Sequence, residues 1–244
     1  SGQWVTLNMS AILILAISGL IGIFVGDTAL FACLNRMGPR QAGLLFSCHA
    51  VFSAFMGYFL FQETLSLIEI GASSLVFLGV ITAIFFGRSK RSGDNLEKLK
   101  GNIAVGISLG VIAALCQAVG SLLAKPIMQT SVDPITGSAV RVITAFIAHS
   151  ILFLSGAKIA RATQKINLNI FMVTFLNGFL AMTLGMTLIL FALQGGNVGM
   201  VALLSSTTPI MLLPLLWLYT GQRPNRFAWI GALLAVIGTG FLVQ

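Results

Sequence analysis

The sequence predicts an all-α membrane protein: a polytopic bundle of about eight helices that cross the bilayer. Of its 244 residues, 57% are hydrophobic and only 8% are charged, whereas a soluble domain carries roughly 25% charged residues. The apolar residues form continuous runs of about 20, long enough to cross a bilayer core of about 30 Å as a helix. The runs lack the short alternating segments of a membrane β-barrel.

Eight such runs follow one another along the chain, with short connections between them. Their predicted bounds are 11–34, 42–61, 67–86, 103–124, 135–154, 169–193, 198–219 and 227–243. Gly, Pro and Asn mark turns at 37–39, 195–197 and 221–225. Only residues 87–100 are polar throughout, which predicts a linker between a first part, 1–86, and a second part, 101–244.

The basic residues indicate orientation in the membrane rather than a polyanionic partner. The net charge is +8, but all Lys and Arg residues except Lys125 and Arg141 follow the first, third, fifth or seventh predicted helix. They therefore lie on one membrane face, which the positive-inside rule places in the cytoplasm. The three cysteines lie inside apolar runs, so we expect neither disulfides nor a metal site.

The chain contains an internal repeat. An offset of 159 residues places Gly19 on Gly178, Gly26 on Gly185 and Thr28 on Thr187. The first three predicted helices thus match the last three, while the helices at 103–124 and 135–154 have no upstream counterpart. This pattern predicts two five-helix units, with the first two helices of the first unit missing.

The two units are predicted to be inverted relative to each other. The loops after helices 11–34 and 67–86 are basic, whereas the loop after the matching helix 169–193 is not. Matched helices therefore run in opposite directions through the membrane. Inverted repeats of this kind are typical of secondary transporters.

Several motifs give the chain a resemblance to a known family. The segment 57–66, GYFLFQETLS, is followed by Gly71 and Gly79, and the segment 217–223, WLYTGQR, by Gly231 and Gly238. With Thr208-Pro209, Lys125-Pro126 and Arg141, these segments resemble EamA-type permeases of the drug/metabolite transporter superfamily over essentially the whole chain. The resemblance implies ten helices in two inverted units around a central cavity. The sequence departs from the family pattern at His49-Ala50 and at Gln222.

The resemblance and the repeat together predict a secondary transporter of the cell membrane. It would carry small metabolites, such as amino acids or related zwitterionic or anionic compounds, by alternating access and with proton coupling. A cationic drug or metabolite exporter is the alternative, and a non-transporting membrane scaffold or receptor is the alternative from another class. We expect no enzyme, because hydrolase and nucleotide-binding motifs do not occur. The expected partners are a small-molecule substrate and lipid, without nucleic acid or cofactor, and the protein would be a monomer or homodimer.

Polar residues inside the apolar runs are the candidate substrate and proton pathway, because a charge costs a few kcal/mol in a membrane helix. Asp27 can bind a proton or an ammonium group, or serve as a structural partner for a cation. Arg141 and Lys125 can hold a carboxylate, or pair with helix-end carbonyls. His49 can carry a proton, and Asn177 can bind substrate; both can instead bridge helices.

Three further residues are candidates for gating. Pro209 and Pro214 lie five residues apart in one predicted helix, where each removes a backbone donor and bends the helix. They would form either a moving gate or a static kink. Glu63 follows a helix, where a carboxylate caps a helix end or closes a gate.

Overall fold

The computed structural model describes residues 7–63, 66–86, 102–160, 167–205, 207, 217–218 and 226–242. The predicted linker at 87–100 and the turn at 221–225 lie outside the described residues. The same holds for Pro209 and Pro214, whose predicted kinks stay predictions.

The described residues form an all-α structure without strands, as predicted. The helices are α1 (Met9–Met37), α2 (Pro39–Ser47), α3 (His49–Phe61), α4 (Leu67–Phe86), α5 (Ile103–Met128), α6 (Pro134–Leu154), α7 (Leu168–Gly195), α8 (Val198–Ser205) and α9 (Arg226–Leu242). Within the described part of the chain, five stretches are long and apolar enough to cross a membrane: Met9–Met37, Gln41–Phe61, Ile103–Met128, Pro134–Leu154 and Leu168–Gly195.

The helix predicted at 42–61 differs from the structure, because it is divided at Cys48 into α2 and α3. The Cys48 amide donates to the Leu45 carbonyl, 3.2 Å away, which is a tighter turn than an α-helix makes. The Ser47 hydroxyl donates to the Gly43 carbonyl at 2.8 Å. A serine that bonds back to its own helix in this way often bends the helix.

The repeat is visible in the helices themselves, since α1 and α7 are built in the same way at the predicted offset. Asn8 and Asn167 cap them, and each amide oxygen lies 2.8 Å from the backbone N–H three residues on. Wider π-helical turns follow in both, at Leu20–Val25 and at Phe179–Gly185. Because π-helical turns are rare, their occurrence at matching positions supports a true structural repeat.

Other boundaries agree with the same offset. Pro39 begins α2 and Val198 begins α8, which are 159 residues apart, and turns follow at Cys48 and Thr207.

The chain divides into two compact units that differ from the predicted repeats. The first unit comprises Ser1–Val25 and Val119–Gly196, and the second comprises Gly26–Ala118 and Asn197–Gln244. Each unit takes elements from both repeats, and α1 and α5 each contribute to both units.

In the first unit, α1 crosses α5 and α6 at very short distances. The Ser18 hydroxyl donates to the Gly120 carbonyl at 2.6 Å. A Cβ atom added at Gly120 would lie 2.8 Å from the Gly22 Cα, and one added at Gly19 would lie 2.5 Å from the Arg141 carbonyl oxygen. Glycine is therefore required for these helices to come so close.

In the second unit, elements of the two repeats pack against each other. The helix α4 packs on its repeat counterpart α9, and α3 packs on α8. A Cβ atom added at Gly199 of α8 would lie 2.8 Å from the Ala54 Cα of α3. Cys33, Met37 and Ala42 form an apolar cluster between α1 and α2.

Candidate substrate pathway

Among the described residues, three Asp, Lys or Arg side chains are buried in the membrane helices. Asp27 is 9% exposed, Lys125 is 4% exposed and Arg141 is 1% exposed. Asp27 belongs to the second compact unit, and the two basic residues belong to the first. Burial of charged groups at this depth is unusual in a membrane helix and marks these positions as functional candidates.

Arg141 lies at the point where α6 meets α1. Its backbone is the surface that Gly19 approaches so closely, and its side chain is the largest of the fully buried side chains. Ser138, one turn earlier in α6, is 3% exposed. The guanidinium group is thus held on a helix whose backbone is fixed by tight packing.

Lys125 lies in the last turn of α5, directly before Pro126. Proline has no backbone N–H, so it cannot donate to the carbonyl of Leu122 as an α-helix requires. Ser121, one turn before Lys125, is also buried. Ser121 and Lys125 are one helical turn apart and thus share a face of α5.

Asp27 lies in the first turn of the α-helical segment Gly26–Met37, which directly follows the π-helical turn of α1. Its counterpart at the repeat offset is Met186, which is buried with Ile23 and Ala145 in an apolar cluster of the first unit. The acidic group therefore occurs in only one of the two repeats.

His49 is 3% exposed and begins α3, at the break after Cys48. Its ring centroid lies 5.1 Å from that of Phe46. The sequence places it well inside one continuous helix, whereas the structure places it at a helix start.

Asn177 lies on α7 and is exposed, unlike the three ionisable residues. Its counterpart in α1 is Ser18, whose hydroxyl bonds to Gly120 of α5. Three predicted pathway residues, Lys125, Arg141 and Asn177, belong to the first unit, and Asp27 and His49 belong to the second.

The sequence did not reveal a cavity in the first unit. It is an open depression at the surface of the unit with a volume of about 680 Å³. Gln194 forms part of its wall and donates to the Val132 carbonyl at 3.2 Å. The lining residues are Ser131, Val132, Asp133, Pro134, Ile135, Thr187, Leu188, Phe191 and Gln194, so the described pathway residues lie outside this lining. In the sequence, the signals for this depression are Asp133-Pro134, which begins one helix, and the polar residue Gln194 directly before the turn at 195–197.

Glu63 caps a helix in the structure. Its two carboxylate oxygens lie 3.1 and 3.0 Å from the backbone nitrogen of Val198, the first residue of α8. A cap, an exposed carboxylate and a gate are the roles that the sequence allows for Glu63; the structure shows the cap, and the gate stays a prediction. The sequence could not indicate which helix Glu63 caps, because Glu63 and Val198 are 135 positions apart.

Comparisons with known proteins extend over the whole chain. The model of the EamA-like transporter family matches residues 1–85 and 104–244. A solved structure titled "Crystal structure of protein" is similar with a TM-score of 0.73 and 16% identity, over 93% of this chain and 76% of that chain. At this identity the likeness concerns the fold alone. No curated protein matches the chain.

Proposed function

Since the chain belongs to the EamA-like transporter family, we propose that it is a secondary transporter that moves small metabolites by alternating access. We place it in the cell membrane. Asp27, His49, Lys125, Arg141 and Asn177 would contact the substrate or the coupling proton along its path.

The observation that carries the proposal is the burial of Asp27, Lys125 and Arg141 inside apolar helices. Each such residue costs a few kcal/mol in a membrane helix. A transport pathway gives these charges a use that a membrane scaffold would not require.

The basic residues favour a substrate that carries a carboxylate. Lys125 and Arg141 are the two basic residues that lie outside the orientation-setting loops, and both belong to the first unit. Arginine binds a carboxylate through two parallel hydrogen bonds. A zwitterionic or anionic metabolite is therefore the proposed cargo, exchanged against a proton at Asp27.

The cavity of the first unit is the proposed entrance on the face opposite the basic loops. It lies at the turn between α5 and α6, and its wall combines the Asp133 carboxylate and the Gln194 amide with the Phe191 ring. Such a mixture of a few polar groups on an apolar wall suits small amphiphilic molecules.

A cationic substrate is the second candidate, and Asp27 is the observation that favours it. A buried carboxylate can bind an ammonium group as well as a proton. In that case the protein would export cationic compounds rather than carry amino acids.

Counterflow into proteoliposomes of the 244-residue chain tests the proposal without assuming a coupling ion. The probes are radiolabelled alanine and phenylalanine as zwitterions, glutamate as an anion and ethidium as a cation. Counterflow of a zwitterion or the anion is the expected result, and a separate assay with an imposed pH gradient tests whether protons drive accumulation. Uptake of ethidium alone would favour the cationic alternative, and uptake of no probe above protein-free vesicles would contradict the proposal.

A further inference from the structure

The end of α3 is shaped to bring a carboxylate back over its own helix. Gln62 adopts a left-handed conformation with φ 56°, and the Glu63 amide donates to the Gly57 carbonyl at 3.3 Å. A Cβ atom added at Gly57 would lie 2.5 Å from the Glu63 Oε2 atom. The missing side chain of Gly57 is thus the space that the carboxylate uses.

The carboxylate meets the start of a helix from the other repeat. Both oxygens accept from the N–H of Val198, a residue with no exposed surface. The first N–H groups of a helix have no partner within it, and a buried donor must find one elsewhere. A carboxylate at this position also interacts favourably with the helix dipole.

The contact between Glu63 and Val198 lies next to the place where α3 and α8 pack closely against each other. Gly199 directly follows Val198 and lies against the Ala54 backbone. The backbones of the two helices therefore approach closely beside the carboxylate, and the hydrogen bond to Val198 holds them there.

The sequence carries different residue types at the repeat-equivalent positions. At an offset of 159, Val198 corresponds to Pro39, Glu63 to Gln222 and Gly57 to Leu216. Pro39 begins α2 and has no N–H to donate. The residue types that form this contact therefore occur together at one of the two related places in the sequence.

We propose that Glu63 is a positioning residue, whose carboxylate fastens the start of α8 to the end of α3 and so holds one element of each repeat together. The predicted topology puts this contact on the membrane face opposite the basic loops. It makes α3 and α8 move as one body in the transport cycle. This consequence for transport rests on the proposed function, whereas the contact itself does not.

Hydrogen exchange tests the fastening directly. Glu63→Ala should raise amide exchange at the start of α8 by roughly 10-fold or more, because a hydrogen bond to a charged group is lost. Asp133→Ala is the matched control. Asp133 also caps a helix, but locally, through the Thr136 amide at 3.0 Å, so its loss should raise exchange at the start of α6 and leave α8 unchanged.

A second substitution separates capping from fastening. Glu63→Ala combined with Asn197→Asp puts a carboxylate directly before α8. This carboxylate belongs to the same chain segment as α8 and therefore does not link α8 to α3. We expect it to restore protection of the Gly199 and Met200 amides, which a carboxylate at this cap position can reach, but not the substrate exchange rate. Glu63→Ala should lower kcat severalfold with KM unchanged, and Glu63→Gln, which keeps a neutral acceptor, should be intermediate.

Two results would overturn the inference. One is unaltered α8 exchange in both Glu63→Ala and Glu63→Gln. The other is full recovery of the transport rate by Asn197→Asp, since Glu63 would then act only as a cap. If the unsubstituted protein transports none of the probes, the proposed function fails, while the hydrogen-exchange comparison still decides whether Glu63 fastens the helices.

Discussion

Asp27 is the one acidic residue of α1 and lies within its membrane-spanning length. Asp27→Asn keeps the size of the side chain but removes its capacity to take up a proton. We expect this variant to lose accumulation driven by an imposed pH gradient and to retain substrate counterflow, both measured in proteoliposomes. Asp94→Asn, in the polar linker, is the control and should retain both. If proton-driven accumulation persists in Asp27→Asn, the residue has a structural role and His49 becomes the next candidate.

Arg141 should act on substrate affinity rather than on coupling. A hydrogen bond to a charged group contributes about 1.5–3 kcal/mol, which corresponds to roughly 10- to 100-fold in affinity. Arg141→Ala should therefore raise KM by about that factor in both counterflow and gradient-driven uptake. Lys158→Ala, in the basic loop after α6, should leave KM unchanged. An unchanged KM in Arg141→Ala would exclude the guanidinium as a substrate ligand.

At the residue scale, the sequence predicted candidates better than it predicted contacts. An ionisable residue within an apolar run is recognisable without a structure. The structure buries Asp27, Lys125 and Arg141, and their role in a pathway stays a prediction. The bond from Val198 to Glu63 joins residues 135 positions apart, and no local pattern encodes such a pairing. The exposure of Asn177 likewise depends on which helices cover α7, which composition does not determine.

At the scale of the helix, Gly19 and Gly178 form a natural comparison, because they occupy equivalent positions in α1 and α7. An added methyl at Gly19 would meet the Arg141 backbone at 2.5 Å, whereas an added methyl at Gly178 meets nothing within 4 Å. Gly19→Ala should destabilise the protein by about 1–3 kcal/mol, as overpacking does. Gly178→Ala should leave stability unchanged or raise it by about 0.5–1 kcal/mol, because glycine is a poor helix residue.

Thermal unfolding in detergent measures both substitutions on the same scale. A lower Tm for Gly19→Ala and an equal or higher Tm for Gly178→Ala is the expected outcome. Equal losses in the two variants would mean that α7 is covered at Gly178 in the folded protein, and that the two helices are packed alike.

Helix lengths were predictable because a bilayer of fixed thickness requires a fixed number of apolar residues. The bounds of α4, predicted as 67–86, agree with the structure. The break at Cys48 and the π-helical turns of α1 and α7 were not predictable. These features change the backbone hydrogen-bonding pattern without interrupting the apolar run. The hydrophobicity of the sequence therefore does not predict them.

At the scale of the whole molecule, the repeats and the compact units divide the chain differently. The repeats follow sequence order, whereas each unit joins segments from both halves. Within the second unit, α4 packs on α9 and the end of α3 lies at the start of α8. Contacts that join counterparts, and that bring a helix end to a helix start, are those expected of halves related by inversion.

The inversion predicts that equivalent residues label from opposite membrane faces. Met9 and Leu168 begin α1 and α7 at equivalent positions and are 70% and 77% exposed. In a protein with its three cysteines replaced by alanine, Met9→Cys and Leu168→Cys should react with a membrane-impermeant thiol reagent from opposite sides of sealed vesicles. Thr130→Cys, at the turn between α5 and α6, should label with Met9→Cys, and Ser155→Cys, in the basic loop, with Leu168→Cys. Labelling of Met9→Cys and Leu168→Cys from one side would mean that the two repeats run parallel. The repeat offset, which conserves caps, π-helical turns and helix starts, shows that the two positions are equivalent but does not determine the direction of each repeat in the membrane.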